Sequence, residues 1–273
     1  MKLIRETCVA GAVIDRTIKL NNEIGKTRAP KTKPTSEAVR KNNDRIAEKR
    51  LARLLNANFY PGDLHVTLTY AKIRTEEEQK RLLNNFIRRM KREYEKAGRE
   101  FKWIHVTEYE NHRPHHHIVM SYIDLRVIHE QWKEGNIKSS ALDKSRNYTK
   151  LAQYLVKETS KTFRKASNAT KQRYQCSRNM VRPIVVREEM KLKDLYDNPT
   201  AIAGYSIDED SIRYYKHPFT AMEHLEYQMV STDYVPRIKS WRKGFAVKKD
   251  ETFRRFKEIC QLDMGTIIGW STI

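Results

Sequence analysis

The chain has 273 residues, 39% of them hydrophobic and 32% charged, and a formal net charge of +20. That length suits one large domain, or a compact domain of about 150 residues with extensions. No apolar run approaches the roughly 20 residues of a membrane span, Glu6 makes the first residues a poor signal peptide, and three scattered cysteines (Cys8, Cys176, Cys260) argue against a disulfide framework and a cysteine zinc site.

Residues 1–34, with "KTRAPKTKP", read as a basic N-terminal arm, extended or in irregular strands. A helix follows from Thr35 to Asn56, and Pro61 and Gly62 break the chain. "LHVTLTY", Leu64 to Tyr70, alternates in the manner of a strand. The next helix is the clearest: Thr75 and Glu78 make a capping box, Leu82, Leu83, Phe86, Ile87 and Met90 an apolar stripe, and Gly98 a stop. "KWIHVTEY" (102–109) and "HHHIVMSYI" (115–123) predict a hairpin, followed by a short helix from Asp124 and a strand at "NIKSS". A last helix carries Tyr148, Leu151 and Leu155 at core spacing.

The order β-α-β-β-α-β predicts an α+β fold, an antiparallel sheet of split βαβ type with helices on one face and the other free for a ligand. The residues past about 165 carry no assignable pattern.

Charge is unevenly spread. Lys144 to Arg187 holds twelve Lys and Arg against Glu158 alone, whereas Asp194 to Asp233 holds eight acidic residues against Arg213 and Lys216. A surplus of one sign repels itself unless a polyanion is the partner, so the middle third is a candidate nucleic-acid surface. Lys144, Arg146, Lys150, Lys161, Arg164 and Lys165 are its candidate contacts.

Five of the nine histidines lie between His105 and His117. Residues two apart on a strand share a face, so His115 and His117 project together and His116 points away. If the hairpin turns between Glu110 and Arg113, Glu108 lies across from one of them. A register shifted by one residue would bring Thr107 and Tyr109 instead, and His105 and Glu110 are rival ligands. Two imidazoles and a carboxylate suit Mn²⁺, Mg²⁺ or zinc. About forty residues on, "YLVK" sets Tyr154 and Lys157 on one helical face.

In this order "LHVTLTY", "RPHHHIVM" and "YLVK" resemble the three motifs of the HUH endonucleases, and among them the rolling-circle replication initiators of phages and small plasmids. "NANFYPGD" and "QCSRNMVRP" resemble the bacterial and phage branch. The likeness covers roughly residues 35–185, leaving 186–273 as a C-terminal extension of unassigned fold. It implies a divalent metal (Mn²⁺ or Mg²⁺) held by Glu108, His115 and His117, Tyr154 as nucleophile, Lys157 steadying charge, and single-stranded DNA at a replication origin as substrate. With no G-x-x-x-x-G-K-[ST] loop, host helicase and polymerase are the expected partners, and the cytoplasm of a bacterial host cell the expected location. Conjugative relaxases, single-strand transposases and a non-catalytic DNA-binding repressor are the rival readings. Two positions depart from the family pattern. His116 stands where an apolar residue is usual, and is expected to reach water or DNA. Tyr148 is off the four-residue spacing of two-tyrosine members, so a single nucleophile is implied.

Overall fold

A computed structural model describes residues 2–21, 37–109, 114–160, 172–191, 198–216 and 223–233. In chain order its elements are β1 (Lys2–Ala10), β2 (Val13–Asn21), α1 (Glu37–Asn58), β3 (Leu64–Thr69), α2 (Glu76–Lys96), β4 (Trp103–Glu108), β5 (His115–Met120), α3 (Leu125–Gln131), β6 (Ile137–Ala141), α4 (Thr149–Glu158), β7 (Gln175–Cys176), β8 (Val185–Met190), β9 (Tyr205–Lys216) and β10 (Glu223–Ser231). They divide into two compact units, residues 42–180 and residues 1–41 with 181–273. Both are built on antiparallel sheets, and the chain is α+β.

The unit 42–180 holds a five-stranded sheet in the order β6-β3-β5-β4-β7, with every neighbouring pair antiparallel. The helices expected between its strands are present, and the α2 capping box forms as the spacing predicts, with Thr75 Oγ1 accepting from Glu78 N and Glu78 accepting from Thr75 N. Leu83, Phe86, Met90 and Tyr94 of α2 pack with Leu64, Val66 and Leu68 of β3 and with Ile118 and Met120 of β5.

The opposite sheet face is not left free, contrary to the expectation from sequence. Ile104, Val106 and Val119 project there and pack against Leu51, Leu54 and Leu55 of α1 and Ala152, Leu155 and Val156 of α4. Helices therefore cover both faces. The reason is local: only the second half of α1 has an apolar side to bury, and it closes the β4 side of the sheet. The β3–β6 side of that face keeps its half-buried polar residues His65, Thr67 and Thr69.

Gly135 sets the approach of β6. A Cβ there would lie 2.2 Å from Thr69 O, where the backbones meet through Ala71 N–H to Glu134 O at 2.8 Å and Thr69 N–H to Asn136 O at 3.0 Å.

In the second unit, β1 and β2 fall within the segment 1–34 read as an arm or irregular strands, and β9, β10 and most of β8 within the C-terminal segment 186–273; residues 22–34 and 234–273 lie outside the described residues. Residues 2–21 are a regular hairpin, turned at Gly11 with φ 61°, and they join β8, β10 and β9 in one sheet of order β8-β1-β2-β10-β9. Ile14, Ile18, Leu225, Tyr227 and Met229 alternate inward as its core. Glu6 pairs there with Lys19 and Arg187, each at 2.9 Å. Burial raises its carboxyl pKa, but the two cations outweigh this and hold it below the ordinary value. Among the described residues no helix is long and apolar enough to cross a membrane.

Candidate active site

Strand alternation gives β5 its two characters. His115, His117 and Val119 face α1 and α4, and His116, Ile118 and Met120 face α2. Contrary to the expectation from sequence, His116 does not reach water or DNA; it is fully buried, at 0% exposure. The Tyr70 hydroxyl donates to Gln79 O at 3.1 Å, so it accepts from His116 Nε2–H at 2.7 Å. His116 Nδ1 then accepts from the Thr107 hydroxyl at 2.8 Å. Burial, and then the neighbouring imidazoles, hold its pKa well below the ordinary histidine value. It is a structural residue with both ring nitrogens paired.

The hairpin register sets Glu108 directly across from His115 and Val106 across from His117. Glu108 is 1% exposed. His105, the rival, pairs with Ile118 and so lies on the α2 face; burial pushes its pKa down to about 4. Glu110, the other rival, falls outside the described residues.

His115 Nε2 stands 3.1 Å from His117 Nε2. On the far side of the His117 ring, Nδ1 lies 3.1 Å from Thr67 Oγ1 and 3.2 Å from His65 Nε2. Burial, then His65 and His115, push His117 down to about 3. Burial and then Lys138 lower His65. Both rings are therefore neutral near pH 7, the state in which an imidazole nitrogen is a lone-pair donor. Among the described residues no three His, Cys, Asp or Glu side chains already form a cation cage.

The helix α4 brings Tyr154 to this cluster. Its ring centroid lies 5.3 Å from that of His117 and 6.4 Å from that of His65, edge-on to both. Tyr154 is 41% exposed. Burial and then Glu158 raise the phenol pKa, so it is protonated near neutrality. Lys157 is exposed one helical turn on. Tyr148 caps α4 from within the core, and its backbone N–H donates to Asn56 Oδ1 at 2.7 Å. The start of α4 is thus tied to the end of α1.

The flanking motifs have structural work. Asp63, in "NANFYPGD", accepts from Tyr60 N and Tyr122 N, both at 2.8 Å. In "QCSRNMVRP", β7 extends the sheet beside β4. Of the basic candidates, Lys144 and Lys150 are exposed, and Arg146 is half-buried with a left-handed φ of 59°. Lys161, Arg164 and Lys165 lie outside the described residues. Sequence reasoning missed His65 and Lys138. His65 could have been found by continuing the alternation of "LHVTLTY", which puts it on one face with Thr67, while Lys138 emerges only once β6 is paired opposite Thr67.

Residues 63–163 match the replication-associated protein (ORF2) family. The matched segment opens at Asp63, ahead of β3, and closes just past α4. It spans β3 through β6 as well as α4, and every residue of the His65–His115–His117–Tyr154 cluster lies inside the segment matched to the replication-associated family. No curated protein and no solved structure matches the chain.

Proposed function

We propose that the chain is a metal-dependent HUH endonuclease that nicks and rejoins single-stranded DNA to start rolling-circle replication, with Tyr154 as nucleophile. The observation that carries this reading is the convergence of residues far apart in sequence: the Tyr154 ring lies 5.3 Å from that of His117, whose Nε2 lies 3.1 Å from that of His115. The match of residues 63–163 to a replication-associated family supports the same reading. So does the element order β3-α2-β4-β5-α3-β6, which is that of a split βαβ sheet.

The group implied is Mn²⁺ or Mg²⁺, and the donors fit in kind. His115 and His117 would hold it through two ring nitrogens that lie 3.1 Å apart. Glu108, across from His115, would supply the hard oxygen. When bound, the cation polarises the scissile phosphate as a Lewis acid.

The chain's own residues do the rest. Tyr154 Oη attacks the phosphorus and loses its proton, the P–O3′ bond breaks, and the released 3′ oxygen takes up a proton. A 5′-phosphotyrosine bond has replaced a phosphodiester of similar energy, so the reverse attack by a 3′ hydroxyl rejoins DNA without ATP. The phenol is protonated at rest, so the nucleophile is formed only in the loaded site. Lys157, one turn along α4, steadies the negative charge on the phosphate. Lys138, Lys144 and Lys150 hold the backbone by counterion release. Host helicase and polymerase would act on the freed 3′ end, in the bacterial cytoplasm.

The test is incubation of the protein with a single-stranded origin oligonucleotide and Mn²⁺, followed by a denaturing gel. A heat-stable shifted band that maps to the peptide "LAQYLVK" is expected. A shift on native gels alone would make the protein a DNA-binding repressor.

A further inference from the structure

We infer that Thr67 and His65 are positioning residues for His117: they hold its proton on Nδ1 and so turn the Nε2 lone pair toward the space shared with His115. The inference deepens the proposed metal site and rests on that reading for its purpose.

It starts from the register. Thr67 pairs directly with His117 across β3 and β5, which brings Oγ1 to 3.1 Å from Nδ1. His65, two residues earlier on the same face, brings Nε2 to 3.2 Å from that same nitrogen. The other ring nitrogen, Nε2, meets His115 Nε2 at 3.1 Å. A neutral imidazole has one N–H and one in-plane lone pair.

With the proton on Nδ1, all three contacts are satisfied together. The N–H is shared between the Thr67 oxygen and His65 Nε2, a common three-centre arrangement, and in the metal-free protein His117 Nε2 accepts from His115 Nε2–H, a proton that His115 would give up or move to Nδ1 on taking a cation. With the proton on Nε2, the single Nδ1 lone pair would have to take two donors at once. Buried polar groups are paired in folded proteins, so the first arrangement wins.

The consequence is preorganisation. A metal-binding histidine uses one nitrogen as ligand and donates its other N–H to a neighbour, which fixes tautomer and ring orientation. His117 has that neighbour built in twice. Tyr154 is edge-on to both His65 and His117, so a turned ring would also disturb the nucleophile.

The test uses the full chain without metal, its histidine nitrogens isotope-labelled for NMR. In the parent, His117 should show a protonated Nδ1 and an unprotonated Nε2. In the double variant Thr67→Val, His65→Leu that preference should be lost, and Mn²⁺ affinity by titration calorimetry should fall about 10–100-fold. Restoring a hydroxyl as Thr67→Ser in the His65→Leu background should recover most of both. If the double variant does not fold, Thr67→Val alone keeps the branched shape and should show a smaller change in the same direction. A parent His117 protonated on Nε2, or variants that bind Mn²⁺ as tightly as the parent, would overturn the inference. The tautomer is read without DNA, so a failure of Tyr154 to form an adduct would sink the proposed reaction and leave this result standing.

Discussion

Tyr148 and Tyr154 invite the same substitution and should answer in opposite ways. Tyr148 is 3% exposed among Leu51, Leu55, Ala152 and Leu155, and its hydroxyl has no hydrogen-bond partner among the described residues. A buried hydroxyl left unpaired costs about 1–3 kcal/mol. Tyr148→Phe removes that atom and keeps the ring, so it should stabilise the protein by about 1 kcal/mol, at the low end of the range. That is a rise in melting temperature of about 3 °C for a unit of this size. Tyr154 is 41% exposed, so Tyr154→Phe should change stability by less than about 0.5 kcal/mol. Calorimetry reads the stabilities, and the denaturing-gel assay with single-stranded origin DNA and Mn²⁺ reads the chemistry. Tyr148→Phe should form the covalent adduct and Tyr154→Phe should form none. A destabilised Tyr148→Phe would mean its hydroxyl has a partner in solution. An adduct surviving in Tyr154→Phe would refute the mechanism.

Three further outcomes follow from the packing. His116→Ala should cost about 3 kcal/mol in urea unfolding, because it opens a cavity and strips partners from Tyr70 and Thr107; the folded fraction should bind Mn²⁺ like the parent, and a loss of affinity would place His116 in the metal site. Gly135→Ala should lower stability by about 2 kcal/mol or more, since its Cβ would meet Thr69 O; an unchanged melt would show that β6 can stand off from β3. Glu6 has a folded pKa below its unfolded one, so its contribution is present above the unfolded value and is lost as pH falls through the folded value. Melts from about pH 6 to 3 should therefore drop less steeply in Glu6→Gln than in the parent, and parallel curves would remove Glu6 from that role.

The element order of the unit 42–180 was legible because its period changes cleanly. "LHVTLTY" alternates, the α2 stripe recurs at helical spacing, and the capping box marks where one gives way to the other. The shared face of His115 and His117 follows from the same alternation. What stayed hidden depended on partners distant in sequence. The packing of α1 on the site face rests on Leu51, Leu54 and Leu55, which stand in a run otherwise crowded with Lys and Arg. Leu225, Tyr227 and Met229 alternate as a strand does, but nothing local says which strands flank them, and "SIDEDS" in β9 reads as a solvated turn until β10 lies beside it. The hairpin β1–β2 was read as part of an arm because the basic, proline-punctuated stretch after it dominates the local composition. The alternation of "LHVTLTY" puts His65 on one face with Thr67, and pairing β3 with β5 then shows its contact with His117.

The sheet β8-β1-β2-β10-β9 takes two strands from before residues 42–180 and three from after them. During synthesis the hairpin β1–β2 emerges before its sheet neighbours β8 and β10, with both edges unpaired. At about 5–20 residues per second, about 10–40 s pass before the ribosome reaches residue 231. The unit 42–180 is continuous and can close in that interval. The part of the molecule that carries Tyr154 can therefore be complete on a nascent chain whose other sheet still waits for its last strands.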